Sequence, residues 1–546
     1  MPIFAHPNCG KMKKVILSLV IPVIVISCGQ PQKSVAERLY DRYAEVEIGT
    51  KVTNLMDGIS DNGKEVLNLY RFAAMEIDSI YWQQMVPSRE AIEQIVDDAQ
   101  RQYAMLNYGP WDRLDGSTFV SGFGDRPLGA NFYPEDMTLE EFEAFDDSLK
   151  YSPYTLIRRD RDGNLVTVWY HDEYKEYLDK ARKFLTAAAY ITIKPSVKSY
   201  LLGKEKALGT DDYGANDLEW LGVNDSRMDI VIGPYESSDD HLLGIKKSYG
   251  AYVLLNNVER TAMARKYLEH LEEFQRMLPC KDEYKTFVPG TKSELMVCDA
   301  LYYAGQANAG IKVIGISNPD DVEIQEKAGT RTHLMYNLII AKYDKIIHPV
   351  AQVLLDREQG AQVDQSAFFW YVVFREISHE LGVKNTLDGR LLSQALGSYA
   401  QVMEDVKCDV VGAWLETQLT ARHDIPWILT EEDVITTFTV SMIRSGAFGV
   451  GEAVGQANLI CYNYLKEKGA FTRNEAGVYE INYPKAQEAM AALAGEVLQI
   501  QALGDAAAAK SMVEKYAVVS PELKGDFRNI RIEGIPSDIR FKFSWN

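Results

Sequence analysis

The run Phe368 to Leu381, FFWYVVFREISHEL, constrains this chain more than any other stretch. Seven consecutive apolar or aromatic residues lead into Arg375-Glu376-Ile377-Ser378-His379, so the run predicts a long apolar helix with its charge confined to one end. Those five residues stand one substitution from the zinc-hydrolase pattern H-E-x-x-H. On a helix, positions 375 and 379 share a face and would hold one metal, while Glu376 would polarise the metal-bound water. Position 375, however, carries a guanidinium, which is permanently cationic and has no lone pair to offer. The motif keeps its shape and loses a ligand.

The N-terminus reads as a targeting segment. After Met12, the expected start, come Lys13-Lys14, an apolar run from Val15 to Ile26, and Ser27-Cys28-Gly29. The run is too short to span a bilayer comfortably. Ile26-Ser27-Cys28 resembles a bacterial lipobox, which would leave Cys28 lipidated and the protein anchored at the bacterial cell envelope, on the periplasmic or surface side. An ordinary cleaved signal is the alternative. Removing residues 1–27 takes away Lys11, Lys13 and Lys14, leaving 55 basic against 78 acidic residues, a formal charge of −23. That surface excludes a nucleic-acid partner, whose phosphates demand a basic footprint. Cys280, Cys298, Cys408 and Cys461 are too few and too scattered for a disulfide framework or a C-x-x-C zinc site, although Cys280 and Cys298 could pair.

Periodicity gives the organisation. Residues 34 to 107 read as helices, and Tyr108 to Pro134 as a Gly- and Pro-rich loop. Tyr154 to Arg159 and Leu165 to Tyr170 read as a hairpin around Asp162-Gly163. Met228 to Ile232, Tyr252 to Leu255 and Lys312 to Ile316 read as strands, and helices dominate from about Arg260. Ile530 to Ile535 and Ile539 to Trp545 alternate like strands returning to the first half. The expected class is α+β, mainly helical, with two lobes and a cleft between them. Boundaries fall at 1–27 for the signal segment, 28–35 for a lipidated tether, 36–258 for a mixed α/β lobe, 259–510 for a helical lobe, and 511–546 for a C-terminal segment. The acidic pairs Asp239-Asp240 and Asp320-Asp321 are expected on the solvated surface.

Six segments, in order, resemble the dipeptidyl peptidase III family of zinc exopeptidases, in its shorter bacterial, Nudix-related branch. They are Pro127-Leu-Gly-Ala-Asn-Phe-Tyr-Pro134, Tyr154-Thr-Leu-Ile-Arg-Arg-Asp160, Ile232-Gly-Pro-Tyr-Glu236, Arg375-Glu-Ile-Ser-His379, Glu404-Asp-Val-Lys-Cys-Asp409 and Phe448-Gly-Val-Gly-Glu-Ala-Val-Gly-Gln-Ala-Asn458. The resemblance implies a mixed lobe with a β-barrel core, a helical lobe bearing zinc, and a peptide cleft between them. It places the general base at Glu376 and metal ligands at His379 and Asp405, with Glu404 as the alternate. Glu236 and Asn337 would face a bound peptide. The same comparison shows losses: Arg375 for a ligand His, Val454 for a transition-state His, Ala447 for an Arg and Ser238 for a cleft Tyr.

An arginine on so apolar a helix requires a carboxylate, because an unpaired buried charge is very costly. The expected partner is Asp405, or Glu404, giving a charge-for-charge replacement of the metal, while Glu376 is a further candidate for an ion pair. The resulting expectation is an envelope lipoprotein that is catalytically impaired or inactive, possesses a doubtful zinc site and binds peptides. An active zinc exopeptidase releasing dipeptides and a purely structural lipoprotein stand as the alternatives.

Overall fold

The computed structural model describes residues 34–545 apart from 53–54, 286–292, 427 and 452; the signal segment and Cys28 lie outside the described residues. The elements needed below are numbered in chain order. Strand β1 is Tyr43–Ile48, helix α1 is Asp61–Met85, and the hairpin strands are β2, Thr155–Arg159, and β3, Leu165–Trp169. Helix α2 is Lys175–Ile191. A sheet follows, made of β4 (Met228–Glu236), β5 (Ser248–Asn256), β6 (Glu294–Gly305), β7 (Gly315–Asn318) and β8 (Arg331–Met335). The helical part comprises α3 (Tyr336–Lys342), α4 (Gln365–Ser378), α5 (Ala400–Ala421), α6 (Glu431–Gly446), α7 (Ala453–Glu467) and α8 (Tyr483–Leu503), and strand β9, Asp538–Phe543, ends the chain.

The architecture is the expected two-lobed α+β fold, with the sheet curled into a half-barrel in the order β4-β5-β6-β8-β7. Helix α1 lies against β5 and β6 through Val66, Tyr70, Ala73, Ala74 and Ile77, a stripe at 3.6-residue spacing whose members are all buried. On its other flank it packs on α2. The expected hairpin β2–β3 forms, with Ile157 opposite Thr167.

Three departures from the sequence reading have clear causes. Residues 34–107 are not all helical, because Tyr43-Ala-Glu-Val-Glu-Ile48 forms β1, paired in parallel with β9 at the far end of the chain. Strands β6 and β8 lie beyond residue 258, where the helical lobe was expected to begin; both are mostly buried in the sheet and pair in parallel, while the strand expected at Lys312 to Ile316 is observed as β7, Gly315–Asn318. Ile530–Ile535 is not a strand: Pro521 at a helix start and the Ser520 cap drive Pro521–Ile532 into helix, and only Asp538–Phe543 extends. That last strand reaches the first half by pairing with β1, without joining the five-stranded sheet.

A buried charge cluster fixes this closing strand. Asp538 is fully buried and accepts Lys342 Nζ of α3 at 3.0 Å and Arg444 Nη2 of α6 at 3.4 Å. Burial lowers the Lys342 ammonium to about 8 even with Asp538 beside it. The C-terminal strand therefore ties helices of the second half to the start of the chain. All four described cysteines, Cys280, Cys298, Cys408 and Cys461, are free thiols, so Cys280 and Cys298 do not pair. Among the described residues, no helix is long and apolar enough to cross a membrane.

Asp239 and Asp240 are not solvated either. Asp239 is 1% exposed and accepts Arg126 Nη2 (2.6 Å), Arg113 Nη1 (2.9 Å), Tyr81 OH (2.9 Å) and Ser248 Oγ (2.8 Å). Asp240 accepts the backbone amides of Leu242, Leu243, Ile245 and Lys246 and the Tyr133 hydroxyl. Tyr81, Arg113, Arg126 and Tyr133, brought from residues 81–133, and the local donors at 242–248 together outweigh the cost of burial. Asp320 does remain exposed, paired with Lys247, and Asp321 caps the helix Val322–Ala328.

Candidate functional site

Helix α4 begins at Asp364, whose carboxylate accepts the amides of Ser366 and Ala367, and buries Phe368 through Phe374 without a break. Its partner is α5. The two come closest at Gly412: a Cβ there would lie 2.8 Å from the backbone N and Cα of Arg375. Only a glycine permits that approach, and it sets which residues of α5 face the motif. Asp405 and Asp409, seven and three residues before Gly412, share the face turned toward Arg375.

The ion pairs follow from this crossing. Arg375 Nε donates to Asp409 Oδ1 at 2.7 Å, Nη1 to Glu376 Oε1 at 2.8 Å, and Nη2 to Asp405 Oδ1 at 3.4 Å. The expected Arg375–Asp405 pair is thus the longest of three; Asp409, one turn further along α5, is the principal partner. Asp409 is 2% exposed and also accepts Tyr371 OH at 3.2 Å and Asn458 Nδ2 of α7 at 3.3 Å. Glu404 does not face Arg375 at all. It accepts Lys407 Nζ and shares a 2.9 Å contact with His379 Nδ1, while Gln501 Nε2 of α8 holds its other oxygen at 3.0 Å. Cys408 Sγ lies 3.2 Å from the same His379 nitrogen.

Charge states in this cluster differ over short distances. Burial works against the Arg375 guanidinium, but Asp409 and Glu376 outweigh it and hold the proton more tightly than usual. Burial likewise opposes charge on His379, yet Cys408 and Glu404 pull its affinity for a proton well above the ordinary imidazole range. Glu404 falls well below its usual value: burial is outweighed by Lys407 and His379. Burial pushes Asp405 up to about 6, with Arg375 only partly compensating. Glu416, two turns beyond Asp409 on α5, is fully buried, and neither of its carboxylate oxygens has a hydrogen-bond partner among the described residues. Burial raises it well above the usual range.

The zinc set implied by resemblance, positions 375, 379 and 405, does not fit a metal. Arg375 has no lone pair, and its guanidinium is anchored by three carboxylates. Asp405 Oδ1 is taken by Arg375 and by Gln401 Nε2 at 3.3 Å. His379 turns Nδ1 toward Glu404 and Cys408 instead. Glu376 is the expected ion-pair partner of Arg375 and therefore is not free to act as a base. Asn337 is committed elsewhere: its Oδ1 accepts the Ala300 amide and its Nδ2 donates to the Ala300 carbonyl, both at 2.9 Å, bracing β6. Glu236 ends β4 half-buried, raised by burial and by Asp320; no described contact joins it or Asn337 to the Arg375 cluster. Val454, on the first turn of α7, is 43% exposed, and Ala447 caps α6. Lys407, Cys408 and Asp409 lie within one of the six ordered motifs without a site role expected of them, and Gly412 does not stand out in the sequence, although Asp405 and Asp409 are four residues apart, the spacing that puts two side chains on one helical face.

No family model matches the chain. It is similar to the solved structure of DPP III from Caldithrix abyssi, with 33% identity and a TM-score of 0.87 over 93% of this chain and 99% of that one. Dipeptidyl-peptidase III from Corallococcus sp. strain EGB matches with 27% identity and a TM-score of 0.81 over 93% of this chain and 96% of that one. A curated relative, Nudix hydrolase 3 of Arabidopsis thaliana, is 26% identical over 571 residues, covering 92% of this chain and 73% of its own length.

Two expected outcomes test the cluster. Arg375→Leu leaves Asp409 buried beside Tyr371 and Asn458 alone and should cost about 3–5 kcal/mol. Adding Asp409→Asn should return most of it, which denaturant melts of the single and double variants measure. For Glu416 the folded-state proton affinity exceeds the unfolded one, so its contribution is intact below about pH 4.5 and is lost as pH rises. Glu416→Gln should raise the thermal midpoint by a margin that is larger at pH 8 than at pH 5; a margin that shrinks with rising pH contradicts the burial argument.

Proposed function

The chain belongs to the dipeptidyl peptidase III family, and from that premise we propose that it is a member whose hydrolytic centre is silenced while its peptide-binding architecture is retained. The observation that carries this reading is Arg375, at the position of the first metal ligand, held by Asp409, Glu376 and Asp405. Hydrolysis by a zinc enzyme needs three ligands, an activated water and a free base. Here one ligand is a fixed cation and the base is its counter-ion. A divalent ion placed within a few ångströms of that guanidinium would meet a repulsion of several kcal/mol at intermediate dielectric. Asp405 is also one methylene shorter than the family's glutamate, and the Arg, His and Tyr side chains expected at 447, 454 and 238 are replaced by Ala447, Val454 and Ser238.

The substrate class in this reading is a short peptide, bound without cleavage. Purified protein supplemented with zinc should hydrolyse a dipeptidyl arylamide at no more than about a thousandth of the rate of the Caldithrix protein assayed beside it, in line with the loss of a principal catalytic element. Peptides should nevertheless raise its thermal midpoint by mass action. Zinc-dependent turnover comparable to that of the relative would sink the proposal, and no shift with any peptide would favour a structural role.

The same proposal places the protein at the bacterial cell envelope through a lipid on Cys28, supported by the basic, apolar and Ile-Ser-Cys order of residues 13–28. Labelled palmitate fed to the expressing cells should enter the full-length chain and not its Cys28→Ala variant; equal labelling of both contradicts the anchor.

A further inference from the structure

Beside the arginine cluster lies a second set of donors, which keeps His379 and the alternate Glu404 of the implied ligand positions and adds Cys408. His379 Nδ1, a Glu404 carboxylate oxygen and Cys408 Sγ all lie within 4.8 Å of one another. The individual separations are 2.9 Å for nitrogen to oxygen, 3.2 Å for sulfur to nitrogen and 3.4 Å for sulfur to oxygen. A tetrahedral ion of the zinc class, with bonds of about 2.0 Å to nitrogen and oxygen and 2.3 Å to sulfur, sets such donors roughly 3.3 to 3.5 Å apart. The observed triangle is smaller by only a few tenths of an ångström. That is the difference between three groups sharing protons and the same three sharing a cation.

We propose that His379, Glu404 and Cys408 form a metal site, holding a zinc-class divalent ion through an imidazole Nδ1, a carboxylate and a thiolate. It differs from the family's set in two of three residues, and it stands whether or not hydrolytic activity has been lost.

The fold builds the triangle from two helices. Glu404 and Cys408 are four residues apart on α5 and share a face, and His379 arrives from the end of α4, where Lys384 Nζ donates to its carbonyl at 2.7 Å. Gln501 Nε2 fixes the second Glu404 oxygen at 3.0 Å, the kind of outer partner that orients a ligating carboxylate. Cys408 is fully buried, while 34% of the His379 side chain reaches solvent and gives the ion a way in. Lys407 opposes the ion, with Nζ 2.9 Å from Glu404 Oε1, but it is also anchored to the Leu381 carbonyl at 3.0 Å and need not leave.

The wider charge ledger tolerates the cation. Glu376, Glu404, Asp405 and Asp409 face two permanent cations, Arg375 and Lys407. On binding, the N–H of an imidazolium and the S–H of Cys408 break, bonds from nitrogen and sulfur to the ion form, and two protons pass to water. Two positive charges enter and two leave, so the cluster's net charge is unchanged. The Glu404 lone pair that accepts from His379 passes to the ion. A thiolate in the set selects zinc, cobalt or cadmium over magnesium and calcium.

Cobalt distinguishes this site from the family's set of imidazoles and carboxylates, because a thiolate bound to Co²⁺ gives an intense near-ultraviolet charge-transfer band that such a set lacks, and the cysteine variants assign the thiolate. Metal-stripped full-length protein titrated with Co²⁺ should develop that band at one equivalent. Cys408→Ser should abolish it, and Cys280→Ser and Asp405→Ala should leave it in place. In the unaltered protein, zinc should also slow alkylation of Cys408 by at least tenfold, read by peptide mass mapping; this arm needs no variant to fold. A band that survives Cys408→Ser, no band at one equivalent, or unprotected Cys408 would each overturn the proposal.

Discussion

The contact on which the centre of this molecule depends is the one between the Arg375 guanidinium and Asp409. It crosses the interface of α4 and α5 where Gly412 removes the last side chain that could hold the helices apart. Either group alone would be prohibitively expensive in that setting, because both are surrounded by aromatic and aliphatic residues. Together they lock the two helices against sliding: a shift of one turn would set Arg375 opposite Asp405 or past both acids. The pair therefore specifies alignment as much as it contributes stability, and it occupies ground that a metal-dependent enzyme of this shape would need.

One helix shows how strongly position governs charge. Along α5, Glu404, Asp405, Asp409 and Glu416 are four carboxyls within four turns, and no two have the same environment. Glu404 sits between Lys407 and His379 and is held ionised. Asp405 shares a guanidinium with two stronger competitors and is raised to about 6. Asp409 has that guanidinium at its shortest distance but pays for complete burial. Glu416 has burial without any compensating cation. Apart from Lys407 and Gln401 on α5 itself, the differences come from neighbours on α4, α7 and α8, so composition of the helix alone carries only part of them.

This explains how far the sequence could be read. The apolar run before Arg375, the need for a carboxylate partner, the damaged ligand position and the two-lobed fold all follow from local patterns or from ordered motifs. The identity of the partner did not, because Asp405 and Asp409 differ by one turn and the choice depends on where α4 crosses α5. Gly412 marks that point, yet a glycine inside a helix carries no label saying which neighbour approaches it. The burial of Asp239 and Asp240 was hidden for a similar reason: the arginines and tyrosines that hold them come from distant segments, and only the loop amides that Asp240 accepts are local. Strand β1 was missed because its six residues have no nearby partner: what makes them a strand lies some 490 positions away. Cys408 was set aside with the other scattered cysteines because a solitary thiol acquires meaning only beside His379 and Glu404.

That pairing of β1 with β9 has a consequence for how the chain must be made. The first strand emerges from the ribosome early, but its companion, Asp538–Phe543, follows 495 residues later. Until then its edge stays unsatisfied, and Lys342 and Arg444 await the one carboxylate that neutralises them. Segments within each half can settle during translation. The pairing cannot form before Asp538–Phe543 has emerged, so one of the earliest strands is completed only by a segment made far later.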